Sequence, residues 1–575
     1  YWIMQKSATP WSFLEPYRGS AFQGLWPTIP EMFRITCSRF PDKRAFTAFD
    51  PYPMALSWSE VREAALRAAA CLWAQGVRRG DRVVLTGKNS PEWAIAYLAA
   101  LEAGAIVVPL YHQLGAEEME ALIRFVEAAA LFADEEKFDL LSGCGVKVRI
   151  GLSRSQPDYI LNLPASKQRS AERPGELDTA AILFTSGTTG NPKGVMLSHR
   201  NLVADCYLSQ ANLNVYPSDV FYALLPLHHS YTMTAVFLIC VSIGAELVFG
   251  QKMASKHILE DLRRGGITMF LGVPMLFNRL LVAIRKGIRE KGLVVFALIR
   301  FLMMASGLVK KLTRANPGKK MFGFILKKAS LQNIRICIAG GGPLPASTFR
   351  QFNQLGIDFV QGYGLTETSP IVALNPVERY KVSSVGKLIP QVEVRILEPD
   401  AEGRGEIAVR GPVVMQGYYR NEAATREAFT AEGWLKTGDV GYLDREGYLY
   451  LTGRKKSVIV TEGGKNVYPE EIEDRFQLSP EIEQILVRGY LADRKRKSEG
   501  IEALIYPSAE HFAEIGIRLE DRERVRSRLQ AVVEEVNRGL LPYQRIERFT
   551  VLEQPMEMTT TKKIKRFKVD SASAP

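Results

Sequence analysis

Short apolar segments alternate with longer amphipathic segments along most of the chain. Residues 81–86 predict a strand, residues 91–103 predict a helix that begins after Ser90, and residues 105–109 predict the next strand. Serine before the first turn caps a free backbone N–H, and proline inside that turn has no N–H to satisfy. Strands that alternate with helices form sheets covered by helices. The alternation therefore predicts an α/β fold, with mixed sheets flanked by helices.

The same pattern continues downstream and brings glycine-rich loops with it. Residues 180–184 predict a strand that runs into a Gly/Thr loop leading to a helix over 199–210. Residues 334–339 predict a strand that ends in three glycines, and residues 359–360 predict a strand before another glycine turn. In α/β sheets, phosphate ligands bind on loops at the carboxyl ends of strands. These loops are therefore candidate ligand sites.

The sequence changes character after about Gly433. A strand region ends near residue 453, and the segment that follows is rich in charged helices, at 470–476 and 520–537. This pattern predicts a second, smaller α+β domain at the C-terminus.

Composition excludes several classes of protein. Of the 575 residues, 46% are hydrophobic and 24% are charged, which is typical of a globular protein and not of a disordered, collagen-like or coiled-coil chain. The six cysteines are scattered without a CxxC pair, and no HExxH pattern occurs. We therefore expect reduced, mostly buried thiols and no zinc or redox motif.

No segment predicts a signal peptide or a membrane span. Residues 1–11 lack a basic and then apolar build. The uncharged stretch 220–245 is interrupted by a proline and two histidines, and residues 293–309 carry Arg300 at their centre. A charge at mid-bilayer is costly, and the apolar runs are short or marginal for a span.

The strongest local motif occupies residues 185–194, which read TSGTTGNPKG. Glycines allow close backbone approach, hydroxyls donate to phosphate oxygens, and Lys193 supplies positive charge. The segment is not a Walker A loop, because no GK[ST] closes a GxxxxG frame. The motif predicts a phosphate-binding loop.

This motif resembles the phosphate loop of the adenylate-forming superfamily, which contains acyl-CoA synthetases, nonribosomal adenylation domains and luciferases. Four further segments are similar to motifs of that family in the same order: QGYGLTET at 361–368, WLKTGD at 434–439, GRKK at 453–456 and TTTKKIKR at 559–566. The resemblance implies residues 1–453 as an ATP- and acyl-binding domain, 454–457 as a hinge and 458–575 as a lid domain. It implies ATP, Mg²⁺ and coenzyme A as cofactor and co-substrates.

The resemblance also implies a nucleotide site. Glu367 would bind Mg²⁺, with the hydroxyl of Thr185 or a phosphate completing the shell, since hard oxygen ligands suit this ion. Tyr363 would stack on adenine, and Asp439 would accept hydrogen bonds from the ribose hydroxyls. The implied nucleotide-binding residues are Thr185, Ser186, Gly187, Thr188, Thr189, Gly190, Lys193, Gly341, Gly342, Pro343, Gln361, Gly362, Tyr363, Gly364, Asp439 and Arg454.

The implied reaction is attack of a carboxylate on the α-phosphorus of ATP, followed by thiol attack on the acyl-adenylate. Lys563 aligns with the family's catalytic lysine, although it is flanked by Lys562 and Lys565, which allow a slip of one residue. Thr366 would contact the α-phosphate, and His229 matches a histidine on the acyl side. Lys456 occupies the hinge, and Lys465 would meet a CoA phosphate. His199 is expected to be structural.

The substrate is indicated by an insertion at residues 284–330. Long-chain acyl-CoA synthetases resemble this chain in carrying a basic, amphipathic segment there, which favours a medium- to long-chain fatty acid. Some of them place an aromatic gate four residues after the acyl-side histidine, where this chain has Met233. The alternatives are an acyl-[acyl-carrier-protein] ligase, a fatty acyl-AMP ligase and a non-catalytic membrane-binding homologue.

The net charge of +12 is concentrated in one place. Residues 285–328 contain twelve basic residues and one acid, so they account for +11 of it. A local basic patch around an apolar stretch indicates an anionic membrane surface and not nucleic acid. The alternative is that the apolar residues pack on the core and the lysines are simply solvated. We expect a cytoplasmic protein that binds peripherally to the inner face of a membrane.

Overall fold

The computed structural model of the chain describes residues 9–156, 158–165, 172–185, 192–252, 254–313, 315–342, 344–461, 465–493, 498–559, 564–566 and 569.

The strands of the described residues are β1 Arg44–Ala48, β2 Met54–Ser57, β3 Arg82–Thr86, β4 Ile106–Leu110, β5 Ala128–Ala133, β6 Val148–Gly151, β7 Thr179–Thr185, β8 Lys193–Ser198, β9 Val220–Ala223, β10 Glu246–Phe249, β11 Met269–Gly272, β12 Ile336–Ala339, β13 Asp358–Gly364, β14 Ile371–Leu374, β15 Gly386–Leu388, β16 Glu393–Leu397, β17 Gly405–Arg410, β18 Gly417–Tyr418, β19 Leu435–Leu443, β20 Tyr448–Arg454, β21 Ile459–Val460, β22 Asn466–Val467, β23 Ile482–Asp493, β24 Ser498–Pro507 and β25 Arg548–Val551.

The α-helices are α1 Ile29–Arg39, α2 Trp58–Ala74, α3 Pro91–Glu102, α4 Ala116–Phe125, α5 Glu135–Phe138, α6 His199–Leu208, α7 Ser230–Thr232, α8 Ile239–Ile243, α9 Ser255–Arg264, α10 Pro274–Arg289, α11 Leu293–Thr313, α12 Gly318–Met321, α13 Gly323–Lys328, α14 Ala346–Gln354, α15 Glu422–Ala428, α16 Pro469–Phe476, α17 Ala509–Glu514 and α18 Arg522–Arg538. A π-helical turn, Met233–Leu238, joins α7 to α8.

Two mixed sheets form the N-terminal part of the chain. The larger has the order β16-β17-β19-β20-β15-β14-β13-β12-β11-β9-β10-β1-β2, and the smaller has the order β18-β8-β7-β4-β3-β5-β6. In the larger sheet, the neighbouring strands from β13 through β12, β11, β9 and β10 to β1 are parallel. In the smaller sheet, those from β7 through β4, β3 and β5 to β6 are parallel. From β13 to the β16 edge of the larger sheet, neighbouring strands are antiparallel. The predicted α/β class is confirmed.

The predicted helix after Ser90 shows how the two sheets are held together. The Ser90 hydroxyl accepts a hydrogen bond from the Trp93 amide at 3.1 Å, and α3 follows with eleven of its twelve residues buried. The helix contacts β3 and β4 of the smaller sheet and β1 of the larger one. A helix that is apolar all round lies inside a core, and α3 is packed between the two sheets.

Two sequence expectations about the ligand loops are wrong. The loop after β7 leads first into a strand, β8, and only then into α6, because residues 193–198 pair with β7 on one side and β18 on the other. The strand predicted at 359–360 does not end in a glycine turn but continues to Gly364, since β14 pairs with Gly362, Tyr363 and Gly364.

The C-terminal part has a hydrophobic core of its own. Side chains of β21–β24, α16, α17 and α18 form one cluster that includes Ile472, Val487, Phe512 and Leu529. This part contacts α10 of the N-terminal part at two points. The Asn278 amide donates to Gln477 at 3.0 Å, and Lys286 pairs with Glu514 at 2.7 Å.

Helix α11 is longer than the apolar run that the sequence indicated. It covers 21 residues, has a mean hydropathy of 2.0, and is long and apolar enough to cross a membrane by length and composition. Only 11% of that apolar window is buried inside the protein. The packing of α11 on the rest of the protein determines how the helix can contact a membrane.

Candidate active site

A cleft of about 3180 Å³ lies where the two parts of the chain meet. Its walls come from the carboxyl ends of β7, β12 and β13, from β19 and β20, and from the C-terminal part. It brings together most of the predicted site residues: Thr185, Lys193, His229, Gly341, Gly342, Gln361, Gly362, Tyr363, Gly364, Thr366, Glu367, Asp439, Arg454 and Lys456. Residues Ser186, Gly187, Thr188, Thr189, Gly190, Pro343 and Lys563 lie outside the described residues.

One wall of the cleft is built on β7 and β8. Thr185 is directly opposite Lys193 in the ladder, and its hydroxyl donates to the Lys193 carbonyl at 3.5 Å. The Lys193 ammonium lies 5.0 Å from the ring centroid of Tyr418. A cation over an aromatic face is attracted to it, so this contact orients Lys193.

Glu367 lies in a short 3₁₀ turn, Thr366–Thr368, directly after β13. The turn is fixed by the Thr368 hydroxyl, which donates to the Pro370 carbonyl at 2.7 Å and accepts from the Leu365 amide at 2.9 Å. The Tyr418 hydroxyl donates to the Glu367 carboxylate at 2.9 Å. Burial, and then the charge of Glu367, raises the pKa of Tyr418, so the phenol remains a donor.

The donor set fits Mg²⁺ held jointly with a polyphosphate. Among the described residues, no group of three or more His, Cys, Asp or Glu side chains could hold a metal ion. Glu367 and Thr185 nevertheless present a carboxylate and a hydroxyl to the same cleft. Mg²⁺ is commonly bound by one or two protein oxygens, substrate phosphates and water, and this site offers that arrangement.

Where β19 and β20 line the cleft, the contacts are organised around Asp439. Its carboxylate is 9% exposed, accepts a hydrogen bond from the Tyr363 hydroxyl at 2.8 Å, and lies 3.3 Å from the Arg454 guanidinium. Asp439 and Arg454 face each other across β19 and β20. Burial, and then Asp439, raises the pKa of Tyr363. The aspartate is thus a buried acceptor held in place by two donors.

Glycine is required where β13 passes close to the backbone of Pro370. A side chain at Gly364 would place its Cβ 1.6 Å from the Pro370 carbonyl oxygen. After β12, Gly341 has a φ of +80°, which favours glycine. The two positions allow the backbone to line the cleft closely on both sides of Tyr363.

Two adjacent histidines, His228 and His229, line the cleft. His229 precedes Ser230, whose hydroxyl lies 3.1 Å from that of Thr366. His228 packs against Tyr111 and His229, with ring centroids 4.8 and 4.0 Å apart. Burial, and then the neighbouring histidines, lowers the pKa of His228 well below its usual range, so this ring is neutral.

Part of the cleft wall is made of apolar side chains that belong to the hydrophobic core. These side chains are Leu213, Phe221, Ala235, Ile239, Met269, Leu271, Leu374 and Val385, each at most 6% exposed to solvent. The π-helical turn contributes Ala235 to this wall, and π turns often occur at functional sites. Met233, the position of the aromatic gate in some relatives, is fully buried in the core and is not part of the wall.

Tyr231 also lines the cleft, and it was not predicted from the sequence. Its hydroxyl donates to the carbonyl of Ile338 at 3.1 Å, with the Gly272 carbonyl at 3.4 Å. A side chain at Gly340 would meet the Tyr231 ring at 3.0 Å. The ring therefore lies against the backbone where β11 and β12 end.

The C-terminal wall carries the segment around the predicted lysine. Thr559 and Ile564, the described residues on either side of Lys563, both line the cleft. Arg566 donates to both oxygens of Glu473 at 2.6 Å. Burial raises the pKa of Glu473 to about 7 against the opposing charge of Arg566. This ion pair fixes the segment to α16.

Two predicted residues lie away from the cleft. Lys465 is exposed next to β22 and does not line the cleft in this arrangement of the two parts. His199, expected to be structural, is 1% exposed, and its Nδ1 accepts the Ile29 amide at 3.2 Å. Tyr418 and Tyr231 were missed, since their partners are 51 and 107 residues away in the sequence.

Comparison with known proteins identifies the family of this chain. The model of the family described as "AMP-binding enzyme" matches residues 33–419. The chain belongs to the AMP-binding enzyme family. Adenylate-forming ligases of this kind use ATP, Mg²⁺ and CoA, as the motifs implied.

Individual relatives agree with this assignment. The chain is 32% identical to the long-chain-fatty-acid–CoA ligase FadD15 of Mycobacterium bovis, covering 88% of this chain and 90% of the relative. It is 28% identical to the long-chain-fatty-acid–[acyl-carrier-protein] ligase AEE15 of Arabidopsis thaliana, over 84% and 77% of the two chains. The crystal structure of ATP-bound MatB from Rhodopseudomonas palustris has the same fold, with 24% identity, a TM-score of 0.74 and coverage of 95% and 99%.

Proposed function

We propose that this enzyme activates a medium- to long-chain fatty acid to its acyl-adenylate and then transfers the acyl group to coenzyme A. The proposal rests on the buried apolar side chains that line part of the cleft, among them Leu213, Phe221 and Val385, because they surround an acyl chain with apolar atoms. Burying an acyl chain there is favourable by about 0.8 kcal/mol per CH₂. Relatives named as long-chain fatty acid ligases support the same substrate class.

In the proposed first half-reaction, the two substrates react in the cleft. The fatty acid carboxylate attacks the α-phosphorus of ATP, a P–O bond forms, and the bond to the leaving pyrophosphate breaks. When bound, Mg²⁺ neutralises charge on the phosphate oxygens, and Glu367 and Thr185 are the residues that would hold it. Lys193 would attract the phosphates, Thr366 would donate to the α-phosphate, and Asp439 would orient the ribose. Such catalysis is mainly positioning and electrostatic stabilisation.

The second half-reaction uses the acyl-adenylate as an activated acyl donor. The CoA thiol attacks the acyl carbonyl, loses its proton, and AMP leaves as the C–O bond breaks. No protein nucleophile is needed, because the mixed anhydride is already reactive. We propose that residues 454–457 act as the hinge about which the part from 458 onward rotates between the two steps, with Lys456 at the hinge and Lys465 reaching CoA after rotation. Closing and opening of this kind gates many enzymes.

Lys563 is proposed to neutralise charge between the carboxylate and the α-phosphate. Its described neighbours Thr559 and Ile564 line the cleft, which supports this role. Lys565 also lines the cleft, but its charge is compensated by an ion pair with Glu557 at 2.5 Å. The pairing favours position 563 over 565.

The acceptor distinguishes the remaining candidate functions. An acyl-[acyl-carrier-protein] ligase is the second candidate, favoured by the similarity to AEE15. A fatty acyl-AMP ligase would stop at the adenylate, and a non-catalytic homologue would do neither step. The presence of Glu367, Asp439 and Arg454 at one cleft disfavours the non-catalytic alternative.

An acid-by-acceptor panel tests the proposal. Acids from acetate to arachidate are each incubated with ATP and Mg²⁺, with CoA or holo-acyl-carrier protein as acceptor, and the thioesters are measured by mass spectrometry. We expect acyl-CoA from medium- and long-chain acids. Activity confined to short acids would refute the substrate assignment, thioester only on the carrier protein would favour the second candidate, and free acyl-adenylate alone would identify an acyl-AMP ligase.

We also propose that residues 285–328 bind an anionic membrane surface. Their net charge of +11 supports this, since each basic residue near an anionic leaflet contributes about 1 kcal/mol. A fatty acid partitions into membranes, so an enzyme at the surface meets its substrate there. Peripheral binding at the inner face of a membrane follows from the same proposal.

A further inference from the structure

Helix α11 presents an apolar stripe to solvent. Val294, Leu298, Phe301, Leu308 and Leu312 recur at helical spacing and are 82%, 56%, 62%, 58% and 73% exposed. Such spacing places them on one side of the helix. Phe324 on α13, 66% exposed, adds a further aromatic ring. Exposed apolar stripes of this length on a folded protein mark an interaction surface.

The opposite side of α11 is fixed to the protein. Phe296, Ile299, Leu302 and Met303 pack on the core cluster that includes Phe277 and Phe352. α11 contacts both α10 and α14. In its last turn, the Lys310 ammonium donates to Asp358 at 2.7 Å and to Asn353 at 2.8 Å. The helix therefore lies against the protein along its length. A position across the bilayer would break its contacts with α10, α14 and the core.

Three arginines lie on α11 or on the helix that packs against it. Arg285 and Arg289 lie on α10 beside α11, and Arg300 lies on α11 itself. None of the three has an ion pair with a described residue. Burial, and then the charges of Arg300 and Arg289, lowers the pKa of Arg285, so like charges are gathered here without compensation. An anionic partner would relieve this repulsion.

Charge decides between the possible occupants of this surface. A second copy of the chain would bring one +11 segment against another, which is repulsive. A lipid leaflet offers acyl chains for the apolar stripe and anionic headgroups for the arginines of α10 and α11. Amphipathic helices with this division of residues lie in the plane of the membrane interface.

We propose that α11 lies in the plane of an anionic leaflet and inserts its exposed apolar stripe among the acyl chains. This inference rests on the proposed membrane surface and deepens it, because adsorption through charge alone would leave the stripe in water. Val282 and Lys286 of α10 line the cleft, while Arg285 and Ile288 of the same helix face α11. The inserted helix is therefore separated from the cleft by the thickness of one helix.

Labelled variants measure insertion directly. Five of the six cysteines are buried and Cys71 is partly exposed, so Cys71→Ala provides a background for labelling. Val294→Cys, Phe301→Cys and Leu312→Cys each carry an environment-sensitive fluorophore, and Leu177→Cys, 60% exposed on another surface, is the matched control. The proteins are mixed with phosphatidylcholine vesicles with and without phosphatidylglycerol, and with lipids brominated at shallow or deep acyl positions.

We expect the three α11 labels to shift to the blue and to be quenched by shallow bromines, with the control label unchanged. The double variant Phe301→Ser/Leu308→Ser keeps the charge and should partition about tenfold more weakly or worse, since two large apolar side chains no longer leave water. Deepest quenching at residue 301 with shallow ends would indicate a spanning helix and overturn the in-plane arrangement.

Two outcomes separate the inference from the proposal on which it rests. The charge reversals Arg289→Glu/Lys327→Glu should weaken binding to anionic vesicles and leave ATP affinity unchanged. If the wild type binds these vesicles but its α11 labels neither shift nor quench, insertion is wrong and charge-driven adsorption stands. If the wild type does not sediment with anionic vesicles at all, the membrane surface and its insertion both fail, whatever the acid panel shows.

Discussion

Tyr418 connects two charged groups of the active site. Its hydroxyl donates to Glu367 at 2.9 Å, and its ring lies 5.0 Å from the Lys193 ammonium. β18 holds the residue by pairing Tyr418 with Val195 of β8. One side chain therefore positions both the proposed Mg²⁺ ligand and the lysine of the phosphate loop.

Tyr418→Phe separates these two contacts. It removes the hydrogen bond to Glu367 and keeps the ring beneath Lys193. Because a hydrogen bond to a charged group contributes roughly 1.5–3 kcal/mol, we expect the Mg²⁺ concentration for half-maximal adenylation to rise about fivefold or more. Tyr442→Phe, whose ring stacks on Tyr450 outside the cleft, is the control. An unchanged Mg²⁺ titration for Tyr418→Phe would contradict its positioning role.

The sequence identified site residues that occur in contiguous motifs and missed those defined by tertiary contact. Asp439 and Glu367 lie in segments that resemble motifs of the family, and the structure brings both to one cleft. Tyr418 and Tyr231 act through partners far along the chain, Glu367 and Ile338. Residue type and local pattern carry no information about such pairs until the sheets that unite them are known.

At the scale of elements, the N-termini of α1 and α6 meet through one imidazole. His199 begins α6, and its Nδ1 accepts the backbone N–H of Ile29, the first residue of α1. Burial lowers the pKa of His199 from 6.5 to about 4, with Asp178 opposing the shift. A neutral ring is needed, because protonation would destroy the acceptor.

This depressed pKa predicts loss of stability in acid. The stability is fully present above the unfolded pKa of 6.5 and is lost as the pH falls towards 4, which amounts to about 2 kcal/mol between pH 7 and pH 4.5. Urea unfolding of wild type and His199→Gln at several pH values measures it, since glutamine keeps an acceptor that does not titrate. Equal pH dependence in the two proteins would refute the assignment.

Element prediction succeeded where capping and periodicity agree. Ser90, Pro91 and the apolar residues after them defined α3, and the helix ends within one residue of its expected end. β8 was missed because the motif before it ends in glycine and because its pairing with β18 joins residues more than 200 positions apart. β13 was cut short because its glycines were taken for a turn, whereas β14 supplies ladder partners for them.

At the scale of the whole molecule, the positive charge and the cleft are parts of one arrangement. Nearly all the net charge lies in residues 285–328, and α10 has one side on the cleft and the other against α11. The same helix contacts the C-terminal part through Asn278 and Lys286. The proposed membrane surface, the proposed acyl site and the proposed hinged domain are thus connected by α10.

ATP–pyrophosphate exchange measures directly whether this enzyme adenylates long-chain fatty acids. Labelled pyrophosphate is followed into ATP with palmitate or acetate, in the absence of CoA, for wild type and Lys563→Ala. We predict exchange by the wild type with palmitate, little with acetate, and none by Lys563→Ala, which should still form palmitoyl-CoA from supplied palmitoyl-adenylate. If no carboxylate supports exchange, the proposed adenylation activity is wrong.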